Sequence, residues 1–205
     1  MTLLETKGLT KAYGGVIAVG NVDFTVEQGL ITGLIGPNGA GKTTLFNNVT
    51  GLDVPTSGTV HFRSKNITGK SAHAICRMGI ARTFQNIRLF KELTVLENVM
   101  VGRHFKVGRS AQRGRLPTAI GSFLGMKAEE KLMKEQALQW LEFFHLDHMA
   151  DDLARNLPYG LQRELEIARA LATEPELLFL DEPAAGMNPQ ETDSLMATIR
   201  KIRAL

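Results

Sequence analysis

The stretch Gly36-Pro37-Asn38-Gly39-Ala40-Gly41-Lys42-Thr43-Thr44 constrains this chain more than any other. It fits the pattern G-x-x-x-x-G-K-[ST], with Gly36, Gly41, Lys42 and Thr43 in the required places. A short loop between two glycines can curl so that successive backbone N–H groups point inward and form a nest for an anion. Lys42 would then reach the β- and γ-phosphates of a nucleotide as a point charge. The Thr43 hydroxyl is a hard oxygen that can ligate Mg²⁺. A helix starting there adds the positive end of its dipole. With Gly at about 7% of residues, a chance match in a chain this long is on the order of one in a hundred. The flanks point the same way. Leu30–Ile35 reads as a short apolar strand, Thr43–Thr50 as a helix, and Gly51 sits where a C-terminal cap belongs.

Composition sets the frame for this loop. The 205 residues suit one α/β domain, with room for a subdomain. Hydrophobic residues make up 43% and charged residues 22%, ordinary for a globular protein. The net charge of +3 does not by itself argue for nucleic acid, and none is expected as a partner. The single cysteine, Cys76, allows no intramolecular disulfide and fits a reducing compartment. No run approaches the ~18 apolar residues of a membrane span, and no signal peptide is visible, so membrane association is expected to come through a partner.

Along the chain, residues 3–29 read as two strands, with Val22, Phe24 and Val26 alternating against Asp23, Thr25 and Glu27. Tyr13 lies upstream of the phosphate loop, where an aromatic could stack on adenine; cross-strand packing is the commoner fate of such a residue. Pro55–Gly58 reads as a turn, 59–63 as a strand, 71–78 as a helix and 80–84 as a strand. Gln85 follows it, placed where it could meet Mg²⁺ or an attacking water. Thr94-Val95-Leu96-Glu97 is a capping box opening a helix to about Arg103. Residues 103–122, with Arg103, His104, Lys106, Arg109, Arg113 and Arg115 among glycines, read as a loop or loose hairpin, a solvated charged stretch with contact to an acidic partner or lipid headgroups as the alternative. Residues 128–145 form an amphipathic helix with Met133, Ala137, Trp140, Leu141 and Phe144 on one face, and Trp140 is expected in the core. A helix then runs from Pro158 to Ala172 with Leu161, Leu165, Ala168 and Ala172 facing in. The run Leu177–Leu180 is a buried strand delivering Asp181 and Glu182 at its carboxyl end, where open α/β sheets place ligands. Asp181 suits a Mg²⁺ ligand through water, and Glu182 suits a base for an attacking water. A last helix starts near Gln190.

With these residues in view, the sequence resembles the ATP-binding subunits of ABC transporters over nearly its whole length. Gly36–Thr44 matches the Walker A loop, Gln85 the Q-loop glutamine, and Leu177–Glu182 Walker B with its catalytic glutamate. Tyr13 matches the aromatic that stacks on adenine, Leu157-Pro158-Tyr159-Gly160 the signature, and Ala185–Asn188 the D-loop. Three stretches, 81–90, 157–160 and 182–189, resemble the branched-chain amino-acid uptake branch. The resemblance implies a P-loop NTPase fold with an antiparallel β subdomain and a helical subdomain inserted at about 88–160, between core segments 1–87 and 161–205. It implies ATP and Mg²⁺ as cofactors. Lys42, Gln85 and Glu182 would be catalytic, and Thr43, Gln85 and Asp181 would hold the metal. The loop residues, Tyr13 and the signature residues Leu157, Pro158, Tyr159 and Gly160 would bind nucleotide. It also implies a second ATP-binding subunit, an integral-membrane permease, a periplasmic binding protein, and a place on the cytoplasmic face of the inner membrane.

Two departures accompany the resemblance. The usual signature is L-S-G-G-Q, whereas here Pro158 and Tyr159 stand at the second and third positions and Leu161 replaces Gln. Members of the family also continue to a switch histidine, and none of the five histidines here follows Asp181. The chain is therefore expected to be a fragment of an ordinary transporter ATPase. Rival readings are a nucleotide-binding module without turnover and a non-transport ABC ATPase.

Overall fold

The computed structural model describes residues 1–111 and 119–204, giving the backbone alone for 104–111 and 119–128. The chain divides into two compact units, Met1–Ile80 with Ile199–Leu205, and Ala81–Thr198.

The first unit is built on an antiparallel sheet. Strands β1 (Thr2–Tyr13), β2 (Val16–Glu27), β3 (Ser57–Phe62) and β4 (Lys65–Asn66) lie in the order β2-β1-β3-β4. Alternation decides the register: Leu4 pairs Val26 and Phe62, and Thr6 pairs Phe24 and Val60, so one face collects the apolar side chains. Leu4, Leu9, Val26, Val60 and Phe62 are buried, each stabilising the fold by about 1.5–3 kcal/mol of transfer free energy at most. Helix α1 (Lys42–Val49) follows the glycine loop, and Thr50 then Gly51, at φ +73°, end it as the sequence predicts. Helix α2 (Ala72–Arg77) is capped by Ser71, whose hydroxyl accepts from the Ala74 amide.

One expected element is not there. Residues 30–35 form no strand, and Leu30, Ile31 and Ile35 are 62%, 54% and 93% exposed. An apolar run signals a wish for burial, but a strand exists only where a neighbour completes its ladder. Both edges of β1 are taken by β2 and β3, and no described residue pairs with this stretch.

The second unit is mainly helical. It holds strands β5 (Ile80–Arg82) and β6 (Leu177–Phe179), which pair as a two-stranded sheet, the helices α3 (Val95–Ala111), α4 (Ala119–Phe143) and α5 (Tyr159–Leu171), and α6 (Pro189–Ile202) as far as Thr198. The predicted capping box forms: the Thr94 amide donates to Glu97 at 2.8 Å and the Glu97 amide to the Thr94 hydroxyl at 3.1 Å. Asn188 and Glu191 make the same reciprocal pair at the start of α6. Val95, Val99, Ala137, Leu141, Leu165, Ala168 and Ala172 form the core, and α3 approaches α5 so closely that a Cβ on Gly102 would lie 2.4 Å from the Arg169 carbonyl. Trp140 sits half-buried, edge-on to Phe143 at 6.0 Å.

The charged loop expected over 103–122 is corrected at both ends. The backbone stays helical to Ala111 and resumes at Ala119, because Arg and Lys are good helix formers and a single mid-helix Gly costs only about 1 kcal/mol; residues 112–118 lie outside the described set. Arg103 is buried, donating to the Ala172 carbonyl at 3.2 Å and pairing with Glu174 and Gln136.

Gly58 provides a test of the β1–β3 seam. Its φ is +84°, and an added Cβ would lie 2.3 Å from the Gly8 carbonyl oxygen. Gly58→Ala is expected to destabilise the fold by more than about 2 kcal/mol. Urea unfolding checks this, and an unmoved midpoint would show that the seam can open at no expense.

Candidate functional site

In the first unit, the glycine loop is shaped by a close approach. Gly41 has φ +86°, and a Cβ there would lie 2.3 Å from the Ala18 carbonyl of β2. Only glycine meets both demands, so the loop's turn into α1 is fixed by its packing on the sheet. Gly39 is also left-handed, at φ +81°, and the Ala40 amide closes a turn onto the Pro37 carbonyl at 3.2 Å. Lys42 Nζ bridges the loop, donating to the carbonyls of Gly36 at 2.7 Å and Pro37 at 2.9 Å. An ammonium has three protons, so one remains for an anion. Thr43, Pro37 and Asn38 are exposed, and Thr44 is half-buried.

Tyr13 ends β1 in the same unit, 49% exposed. Its hydroxyl donates to Asp53 Oδ2, while Lys11 Nζ donates to Asp53 Oδ1 at 2.7 Å and lies 4.8 Å from the Tyr13 ring centroid. The hydrogen bond to the Asp53 carboxylate raises the Tyr13 phenol above its ordinary range; hydrogen bonding to the Thr44 side chain pulls weakly the other way. Hydrogen bonds from Lys11 and Tyr13 hold the Asp53 carboxyl below its usual value.

The second unit gathers a separate polar group. Gln85 Nε2 donates to Glu182 Oε2 at 2.9 Å, bringing together two residues 97 apart in sequence. Asp181 Oδ2 accepts from Arg82 at 2.8 Å with both side chains nearly buried, leaving Oδ1 for another donor. Glu182 sits at φ +47°, a conformation disfavoured for a residue with a side chain, and it opens a turn closed by the Ala185 amide on its carbonyl. The stretch 157–160 divides its work. Leu157 is buried core. Pro158 caps α5 from outside with an exposed ring. Gly160 is buried where a Cβ would lie 2.9 Å from Glu191. Tyr159 lies over Gly186 and donates its hydroxyl to the Ala185 carbonyl at 3.0 Å.

The profile of the ABC transporter family matches residues 19–185. This chain belongs to that family. Among its relatives, the BraF protein of Pseudomonas aeruginosa, named a high-affinity branched-chain amino acid transport ATP-binding protein, is 45% identical over 98% of this chain and 77% of that protein. LivG of Escherichia coli, likewise named a high-affinity branched-chain amino acid transport ATP-binding protein, is 46% identical over 98% of this chain and 77% of its own length. Among solved structures, the ADP conformation of MJ1267, an ATP-binding cassette of an ABC transporter, superposes with TM-score 0.83 at 34% identity, covering 100% of this chain and 78% of that one. The dimeric post-hydrolysis cassette MJ0796 bound to ADP and Pi superposes with TM-score 0.78 at 27% identity, over 98% of this chain and 83% of that one. The P-loop NTPase fold expected from the resemblance is thus the fold of its structural neighbours.

This ABC chain also uses residues that a reading of its motifs passes over. Arg163, on α5, is fully buried. Its guanidinium donates to the Phe84 carbonyl at 2.6 Å, the Gln85 carbonyl at 2.6 Å and Glu166 at 2.7 Å. Glu166, also buried, accepts from the Arg88 amide at 3.1 Å. The pair thus clamps the backbone on both sides of Gln85. The inward face of α5 was predicted from apolar spacing alone, which treats a charged residue as outward; a hint lay only in the i, i+3 placement of opposite charges. Asp53 and Arg82 were likewise missed, because their partners are distant in sequence.

Removing one partner of a buried pair leaves an unpaired charge, which costs about 3–5 kcal/mol. Arg163→Met is expected to lose at least that much, since two carbonyls are orphaned as well. Glu166→Gln should lose a comparable amount, because it leaves the Arg163 charge uncompensated and turns an NH2 toward one of the two donors from which Glu166 accepts. Urea unfolding of both variants is the check, and a loss under about 0.5 kcal/mol for Arg163→Met would show that the clamp bears no strain of folding.

Proposed function

We propose that this chain is the ATP-binding and ATP-hydrolysing subunit that energises an importer of the branched-chain amino acids leucine, isoleucine and valine. The observation that carries the reading is the match to BraF and LivG across 98% of the chain. The turned loop at Gly36–Thr44 and the Gln85–Glu182 pair support it with chemistry.

The residue roles follow from phosphoryl transfer, in which positioning and charge neutralisation dominate. The amides of Gly39, Gly41, Lys42 and Thr43, with the Lys42 ammonium, hold the polyphosphate at the start of α1, on a loop whose turn the Ala40 amide closes. Tyr13 stacks on the base. Glu182 polarises the attacking water, and Gln85 orients that carboxylate through its amide hydrogen bond. Among the described residues no cluster of three or more His, Cys, Asp or Glu could hold a metal alone. Asp181, Thr43 and Gln85 each carry a hard oxygen of the kind that would serve Mg²⁺, an ion that keeps waters and takes substrate phosphates instead of demanding an all-protein cage. When bound, the ion would neutralise charge on the β- and γ-phosphates. Leu157, Pro158, Tyr159 and Gly160 form the signature. In the proposal it serves the nucleotide of a second ATP-binding subunit, alike or different. The presentation of α5 amides near Gly160 takes the place of the serine and glycine of the commoner motif.

Among the described residues no helix is long and apolar enough to cross a membrane. The proposed place at the cytoplasmic face of the inner membrane therefore rests on docking to an integral-membrane permease, itself fed by a periplasmic binding protein.

Glu182→Gln should retain ATP binding while Mg²⁺-dependent hydrolysis falls about a hundredfold or more, the contribution of a positioned base. Lys42→Ala should weaken binding itself. Binding by titration calorimetry and phosphate release, measured on the same preparations, separate the two, and undiminished turnover by Glu182→Gln would overturn the assignment.

A further inference from the structure

Tyr13 is an unusual platform for a base, because it is half-exposed yet anchored at its far end. Three groups from two segments hold it. The Asp53 carboxylate accepts the Tyr13 hydroxyl proton. Lys11, with a side chain only 13% exposed, donates to Asp53 Oδ1 at 2.7 Å and to the Val54 carbonyl at 2.8 Å. The Val54 amide donates back to Asp53 Oδ1 at 2.8 Å. The backbone reinforces the link: the Ala12 amide donates to the Thr56 hydroxyl at 3.0 Å, and the Thr56 amide to the Thr10 carbonyl at 2.8 Å. The end of β1 is thereby tied to the segment that follows α1, all within one unit.

We propose that Asp53 and Lys11 are positioning residues that set Tyr13 as a one-sided stacking platform for the nucleotide base. The Lys11 ammonium covers one face of the ring at 4.8 Å, held there by the ring's quadrupole and by Asp53. A base can then approach only the opposite face. Asp53 fixes the tilt of that face, because a phenol anchored at its hydroxyl cannot swing about its side-chain torsions. Both Asp53 oxygens are occupied by internal donors, so Asp53 acts through Tyr13 and not on the base. Preorganising the ring removes the ordering that stacking would otherwise require, which is equivalent to about three- to tenfold in affinity. The inference rests on the stacking role of Tyr13 in the proposed function and deepens it.

The test uses the full chain and four variants, Tyr13→Ala, Tyr13→Phe, Asp53→Ala and the double Tyr13→Ala/Asp53→Ala, with ATP and inorganic tripolyphosphate as ligands. Tyr13→Ala is expected to weaken ATP about tenfold or more, as lost base stacking does. Asp53→Ala and Tyr13→Phe should each weaken ATP about three- to tenfold. The double variant should bind ATP no worse than Tyr13→Ala, because Asp53 has no ring left to position. Tripolyphosphate, which has no base, should bind all five proteins alike. Phenolate absorbance gives an independent readout: the chain has two tyrosines, and the one lost in Tyr13→Phe should ionise at lower pH in Asp53→Ala. If Tyr13→Ala leaves ATP affinity unchanged, the stacking role in the proposed function fails. If Tyr13→Ala weakens ATP while Asp53→Ala does not, or if the two losses add, the stacking role stands and this inference falls. An Asp53→Ala loss shared equally by tripolyphosphate also overturns it.

Discussion

The second unit depends on one buried guanidinium. Arg163 reaches from α5 to the carbonyls of Phe84 and Gln85 and to Glu166, and the planar fork lets one side chain satisfy them together. Hydrogen bonds to a charged donor each contribute about 1.5–3 kcal/mol, against a desolvation cost of several kcal/mol for the ion. The contacts roughly offset the burial, so the pair adds geometry more than stability. That geometry is the useful product. The backbone around Gln85 is held from α5, and the Gln85 side chain in turn reaches Glu182. A short β5 could not impose this alone, since it contributes only three residues to a two-stranded sheet.

The first unit depends on close approach instead of charge. Gly41 packs its Cα against the Ala18 carbonyl, and Gly58 packs against Gly8. At both places the absence of a side chain and a left-handed φ are required together. The sheet therefore acts as a template on which the glycine loop is laid. The Lys11–Asp53–Tyr13 group extends the same economy: one carboxylate holds a strand end, a lysine and an aromatic ring.

Strain and satisfaction alternate around the acidic residues. Asp181 is nearly buried, and its carboxylate is paired with the equally buried Arg82 guanidinium. Glu182, next in sequence, is in a left-handed conformation and exposed enough to meet solvent. The adjacent carboxylates thus sit in different surroundings, one buried against a guanidinium, the other exposed and accepting from Gln85. Tyr159 covers the following turn at Gly186 and so ties the start of α5 to it.

Local order was written in the sequence. The turn of Gly36–Thr44 into α1, the capping box at Thr94, the alternation in β2 and the amphipathic face carrying Met133, Ala137 and Leu141 all follow from residue types within a few positions of one another. Such features obey short-range sterics and hydrogen bonding, which a sequence states directly. Only the tertiary structure decided that residues 30–35 would lack a ladder partner, that Arg103 and Arg163 would lie inside, and that Asp53 would hold Tyr13 across 40 positions. Apolar periodicity places a charge outside by default. Burial of a charge requires acceptors brought from far along the chain, and their arrival is a property of the fold.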